Sequence, residues 1–136
     1  MISHKTIEIP TNGQGFYLIT DQITKTFSDL PNSGLINLFI THTSAGLTIN
    51  ENCDPSVRQD LKHFLNYLVP EEWPNYTHTL EGADDMPAHI KASLFGYHLS
   101  IPIINKKLQL GRWQGIYLSE FRTSSQVRKI IGSLYQ

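Results

Sequence analysis

The sequence predicts an α+β fold with a largely antiparallel sheet, and three observations predict it. Several short runs are rich in β-branched and aromatic residues. Other stretches repeat apolar residues three or four positions apart. The two kinds of segment do not alternate regularly, as the crossovers of a parallel sheet would require. At 136 residues, with no linker, low-complexity tract or repeat, the chain reads as one domain over residues 1–136.

Taken in order, Ile2 to Ile9 alternates weakly and reads as a strand, and Thr11-Asn12-Gly13 is a turn signal. Gly15 to Thr20 continues as a second strand. Ile23, Phe27 and Leu30 recur at helical spacing behind Asp21, a candidate cap, and Pro31-Asn32-Ser33-Gly34 stops that helix. Leu35 to Thr41 is a strand, with Leu47 to Ile49 its expected partner after Ala45-Gly46. Asp54-Pro55 is the sharpest local signal, because Asp accepts from orphan amides at an N-cap and Pro fits the first helical turn. Val57, Leu61, Phe64, Leu65 and Leu68 then form one stripe, ended by Pro70. A further helix starts at Met86-Pro87, buries Ile90 and Leu94, and stops at Gly96. Tyr97 to Ile104, Leu108 to Leu110, Trp113 to Phe121 and Val127 to Leu134 read as strands.

Composition narrows the function classes. A net charge of -1 carries no basic footprint for nucleic acid. No apolar run is long enough to cross a bilayer, and the N-terminal segment does not read as a signal peptide. The single cysteine, Cys53, gives no intrachain disulfide, so a soluble, cytoplasmic protein is expected.

Three segments concentrate candidate site residues. In Thr41-His42-Thr43-Ser44-Ala45-Gly46 a histidine and hydroxyls sit at a strand end. In the second, His78 and His89 bracket Glu81, Asp84 and Asp85 just before a helix. Imidazole and carboxylate are common ligands of divalent ions, so His42, His78 and His89 form a candidate metal set. A helix dipole accounts for one of the acidic pair, Asp85, but not for the rest. The spacing matches no established ligand signature. In the third, Leu110 to Arg122, Gln114, Glu120 and Arg122 share one strand face, and Trp113, Tyr117 and Phe121 share the other, which reads as core. Gln114 and Glu120 either line a polar cleft or face water. Lys91, Arg112 and Arg122 are candidates for gripping phosphate. His4, His63, His98 and Cys53 read as structural or exposed.

Read together, Thr41 through Asn52, Asp54-Pro55, Glu81 through His89, Leu110-Gly111, Trp113 through Tyr117 and Glu120-Phe121-Arg122 resemble the YjbQ family over nearly the whole chain. Asn105-Lys106 departs from the Asn-Gly hairpin turn frequent in that family. The resemblance implies a mixed, largely antiparallel sheet curled into a half-barrel packed by two or three helices, and a homotrimer. It also implies a weak thiamine-phosphate synthase activity, joining an aminopyrimidine methyl diphosphate to a thiazole phosphate. A histidine cluster for a divalent ion, zinc or magnesium, maps onto His42, His78 and His89.

For that chemistry the expected catalytic residues are Glu81, Asp84, Asp85, Gln114 and Glu120. The expected substrate contacts are Thr43, Ser44, Asn50, Glu51, Lys91, Arg112 and Arg122. The alternatives are a metal-dependent hydrolase or phosphatase of a small phosphorylated compound, and a non-catalytic trimer that binds such a ligand.

Overall fold

Apolar residues on alternate positions give the larger sheet its inner face. The computed structural model describes residues 1–136. Its elements are β1 (Ile2–Asn12), β2 (Gly15–Leu18), α1 (Thr20–Thr26), β3 (Ser33–Ile40), β4 (Ala45–Glu51), α2 (Pro55–Leu68), α3 (Asp85–Phe95), β5 (His98–Ile104), β6 (Lys107–Leu108), β7 (Gln114–Glu120) and β8 (Ser125–Tyr135). The larger sheet runs β1-β8-β3-β5-β6 and curls into a half-barrel, and a smaller one runs β2-β7-β4. Every pairing is antiparallel.

The main core lies inside the half-barrel. Ile7, Ile9, Ile36, Leu38, Ile40, Ile101, Ile103 and Ile130 project from the larger sheet, Leu47, Ile116 and Leu118 from the smaller one, Ile23 from α1 and Phe27 from its C-cap. A second cluster of Leu65, Ala88 and Phe121, with Phe16, Ala92 and Phe95 against it, fixes α2 and α3 on the smaller sheet. Gly46 is required where α3 crosses β4: a Cβ there would lie 3.0 Å from the Gly96 carbonyl oxygen and 3.1 Å from Phe95 Cβ. That crossing holds the C-terminal end of α3 beside the start of β4.

The local signals hold with shifts of a few residues, but Leu94 and Trp113, expected in the core, are 61% and 54% exposed. Asp54 caps α2, its Oδ1 accepting from the Ser56 amide at 2.9 Å. Asp21 does not cap α1, which starts one residue earlier, at Thr20. The Thr20 hydroxyl instead accepts from the Ile116 amide at 2.9 Å and ties the helix to β7. α1 ends at Thr26, short of Leu30, which packs on the core from the following loop. Leu47 to Ile49 pairs with β7, not with β3. Asn105 and Lys106 are the two loop residues of the β5–β6 hairpin and both take positive φ, as a type I′ turn demands. No helix is long and apolar enough to cross a membrane.

Candidate metal centre

The site forms at the end of the smaller sheet where β4 begins and β7 ends. The start of α3 lies against it and carries Asp85 and His89 one turn apart on one helix face. His78 arrives from the loop between α2 and α3. Its Nε2 lies 2.7 Å from Asp85 Oδ2, and His89 Nε2 lies 3.1 Å from the same oxygen. One ligand atom from each of the three residues lies within 4.8 Å of the others. Bonds of about 2.0–2.1 Å to a tetrahedral zinc ion place ligand atoms roughly 3.3 Å apart, so small movements would close the trio on an ion.

Surrounding contacts fix the orientation of these side chains. His89 Nδ1 is 2.9 Å from the Thr43 carbonyl oxygen, which can only accept, so Nδ1 carries a proton. In the neutral ring, Nε2 then has a lone pair directed at a carboxylate, an arrangement that calls for a proton or a cation between them. This pairing, with the outer nitrogen donating to a backbone carbonyl, is the usual support of a metal-ligating histidine. Asp85 is buried, its side chain 3% exposed. Burial by itself would raise its carboxyl, but the hydrogen bond with His78 and the charges of His89 and Arg122 hold it below the usual range.

Arg122 organises the acidic pair. Its Nη1 donates to Asp85 Oδ1 at 2.8 Å, Nε to Asp84 Oδ2 at 2.9 Å, and Nη2 to the Glu81 carbonyl at 2.9 Å. Asp84 also accepts from the Thr123 amide at 2.9 Å. Burial raises the Asp84 carboxyl; the Thr123 amide and Arg122 outweigh this and keep it low. Gly82, at φ +111, makes the turn that brings the Glu81 carbonyl into this clamp, and a Cβ there would sit 2.9 Å from Asp84 Oδ1.

A hollow of about 280 Å³ adjoins the trio, with Trp73, Tyr76, His78, Thr79 and Met86 among its walls. The Trp73 and Tyr76 rings meet edge-on, 5.1 Å between centroids. The Glu81 side chain is exposed, and its chain neighbour Gly82 lines the hollow.

Several sequence expectations are corrected here. His42 is not one of the clustered ligands; its Nε2 accepts from the Lys129 amide at 2.9 Å, and Asp85 takes its place. Glu120 is fully buried, its carboxylate engaged by Arg128, Thr11 and the Arg122 amide, and it lies outside the cluster. Ser44 Oγ accepts from Arg128 Nη2 at 2.9 Å inside the same network, so it is not free for phosphate. Arg122 is committed to the acidic pair.

Asn50, Glu51 and Gln114 lie at the other end of the smaller sheet, because the strand from Ala45 to Glu51 carries them about 20 Å away. There Asn50 and Glu51 make local turn contacts, and Gln114 Oε1 accepts from the Gly111 amide at 2.7 Å. Arg112, in the turn before β7, stacks on Trp113. Of the predicted set, the structure brings together His78, Asp85 and His89, with Asp84, Arg122, Thr43 and the Glu81 carbonyl around them.

Lys91 follows His89 by two residues and therefore faces roughly 200° round the helix. It is buried, its Nζ donating to Asn66 Oδ1 at 2.6 Å. Desolvation lowers its pKa, with a lesser opposing pull from Glu71. Asn66 Oδ1 also accepts from Gln14 at 2.9 Å, so it stays paired without the ammonium. Lys91→Met is expected to leave stability unchanged or raise it by about 1 kcal/mol in urea unfolding, as replacing an unpaired buried charge does. A loss of more than about 2 kcal/mol would show that the ammonium holds the helix junction together.

His42 has its own pH signature. Burial, then the Arg128 charge, lower its pKa, so the folded state favours the neutral ring that accepts from Lys129. A depressed folded pKa gives stability that is present above the unfolded pKa and lost as pH falls through the folded one. Urea midpoints measured from pH 7 to 5 should therefore fall further for the wild-type chain than for His42→Gln. Parallel curves would contradict this.

Sequence reasoning missed Arg128 and the Trp73–Tyr76 pair. Arg128 did carry a signal: it shares strand parity with the inward Ile130 and Leu134, so a charge at that position needed a buried partner.

The YjbQ family profile, described as UPF0047 protein YjbQ-like, matches residues 5–136. The chain is 51% identical over 133 residues to UPF0047 protein YjbQ of Salmonella typhimurium, covering 96% of this chain and 95% of that one. It is 47% identical over 132 residues to UPF0047 protein YjbQ of Escherichia coli O157:H7, with the same coverage. Among solved structures, a conserved hypothetical protein of Thermus thermophilus superposes with a TM-score of 0.84 at 39% identity, over 93% of this chain and 97% of that one. With the profile and these relatives agreeing over nearly the full length, the chain belongs to the YjbQ-like UPF0047 family.

Proposed function

We propose that this chain is a metal-assisted transferase of the thiamine-phosphate synthase type. It joins an aminopyrimidine methyl diphosphate to a thiazole phosphate and works as a cytoplasmic homotrimer. The bond from the pyrimidine methylene carbon to the diphosphate oxygen breaks, the thiazole nitrogen lone pair forms the new carbon–nitrogen bond, and diphosphate leaves. The observation that carries the reading is the Asp85 carboxylate facing two imidazoles beside an aromatic-walled hollow. A zinc or magnesium ion bound there supplies positive charge for the departing diphosphate; the nitrogen-rich donor set favours zinc.

The chain's own residues supply position. Thr43 and Arg122 hold His89 and Asp85 in a fixed orientation. Trp73 and Tyr76 offer ring faces and edges to a planar heterocycle. Glu81 presents a carboxylate able to accept from an amino substituent on that ring. Arg122 and the buried Arg128 and Lys91 are all engaged within the protein, so they do not grip phosphate. The reaction is therefore expected to depend on the ion.

The test uses protein stripped with chelator, then given zinc or magnesium, and supplied with the diphosphate substrate with and without thiazole phosphate. Thiamine phosphate and diphosphate should appear in equal amounts, only with both metal and acceptor present. Diphosphate-bond hydrolysis without the acceptor would replace this reading with a hydrolase. Ligand-induced thermal stabilisation without any turnover would replace it with a binding protein.

A further inference from the structure

Where the end of α1 faces the β5–β6 hairpin, the half-barrel has an open mouth. A hollow of about 360 Å³ lies there, larger than the 280 Å³ one beside the metal centre. Phe27, Leu30, Leu108 and Leu110 give it apolar walls, which continue the main core outward. Thr24 and Ser28 add hydroxyls from one side, and Lys106 and Lys107 face them from the hairpin. No acidic residue lines the hollow; Asp29, between Ser28 and Leu30 in the chain, is not among the walls. The hollow shares no residue with the metal centre.

The lysine pair is the unusual part. A type I′ turn puts both loop residues at positive φ, where Asn and Gly are at ease and a longer side chain is strained. Lys106 nevertheless takes the second position, at φ +63. Backbone strain of this kind gathers at ligand sites and persists where the surroundings enforce it. Here the Asn105 amide donates to the Asn32 carbonyl at 2.7 Å, and Gln109 Nε2 donates to the Ile104 and Lys107 carbonyls at 3.2 Å. The hairpin is thereby braced against the loop after α1, so the hollow is formed without a ligand. Neither lysine has an ion-pair partner in the chain. Two cations stand together over an apolar floor with no counter-charge.

We propose that this mouth binds a small phosphate monoester with an apolar, planar or branched body. Such an ester is close to doubly negative at neutral pH and so matches two ammonium groups, where a carboxylate would match one. The Ser28 hydroxyl can donate to a phosphoryl oxygen; that of Thr24 already donates to the Asp21 carbonyl at 3.1 Å. The body of the ester leaves water for the walls of Phe27, Leu30, Leu108 and Leu110. Small-molecule sites occupy roughly 300–1,000 Å³ and favour the mouths of barrels, and this hollow meets both conditions. The last carbonyls of α1 would repel an anion, but two of them are engaged. That of Thr26 accepts from Lys5 Nζ at 2.9 Å, and that of Ile23 from the Phe27 amide at 3.0 Å.

The inference does not depend on the chemistry of the metal centre, and the test keeps the two sites apart. Phenyl phosphate added to the zinc-loaded, nitrogen-15-labelled chain should move the amide resonances of residues 24–30 and 106–110. Inorganic phosphate and phenol should each bind there at least about fivefold more weakly, since each makes only half of the contact. Lys106→Gly should weaken phenyl phosphate binding about fivefold, as loss of one partly exposed ion pair does. Its melting temperature should be unchanged or higher, because Gly relieves the turn, so misfolding would not explain the loss.

Three results would overturn the proposal. One is Lys106→Gly binding phenyl phosphate as the wild-type chain does. Another is inorganic phosphate binding as tightly as the ester. The third is the absence of any shift at millimolar ester, or shifts confined to residues 78–89 around the metal centre.

Discussion

His89→Ala is expected to weaken zinc binding at least about a hundredfold, a loss larger than the 10–100-fold typical of residues that only support a ligand. The reason is the convergence of His89 Nε2 and His78 Nε2 on one Asp85 oxygen, at 3.1 and 2.7 Å. Removing either ring leaves two donors, too few to hold a divalent ion against water. His78→Ala should match His89→Ala. His42→Gln should bind zinc as the wild-type chain does, because His42 Nε2 is engaged by the Lys129 amide. Competition with a chromophoric chelator reads all three. Equal loss in His42→Gln would return that residue to the ligand set.

The largest stability effect is expected at Arg128. Its guanidinium donates to both oxygens of Glu120, through Nε to Oε1 at 2.7 Å and through Nη2 to Oε2, and to Ser44. Glu120 also takes the Thr11 hydroxyl at 2.7 Å and the Arg122 amide at 3.1 Å. Arg128→Met would leave a fully buried carboxylate without its counter-charge, a change that costs about 3–5 kcal/mol. Glu120→Leu with Arg128→Met removes both charges and should recover most of the loss, since a buried ion pair adds little over apolar packing. Urea unfolding of the single and double variants reads the difference. A double variant no more stable than Arg128→Met would show that the site cannot repack.

Much of the fold was legible because its signals are local. Asp54-Pro55 marks a helix start wherever it occurs, and the alternation of Ile36, Leu38 and Ile40 names its buried face without reference to any partner. The division into two sheets was not legible, since Leu47 to Ile49 could pair with any strand and only the tertiary fold sends it to β7. At the site, His78, Asp85 and His89 were visible as a sequence cluster around one helix start. The expected third ligand, His42, came from residue type and from the family resemblance, and it is not in the cluster. It stands close by, one residue from the carbonyl that orients His89, and its ring turns to Lys129 instead. Gln114 and Glu120 share a strand face but lie six residues apart, so one ends in a distant turn and the other in the core.

X-ray absorption at the zinc edge of the metal-loaded chain bears most directly on the central claim, the His78–Asp85–His89 centre. The structure predicts two imidazole ligands and a carboxylate oxygen around one ion per chain, reverting to an unbound spectrum in Asp85→Ala with His89→Ala. Three imidazoles, or a zinc environment that the double variant leaves unaltered, would contradict it.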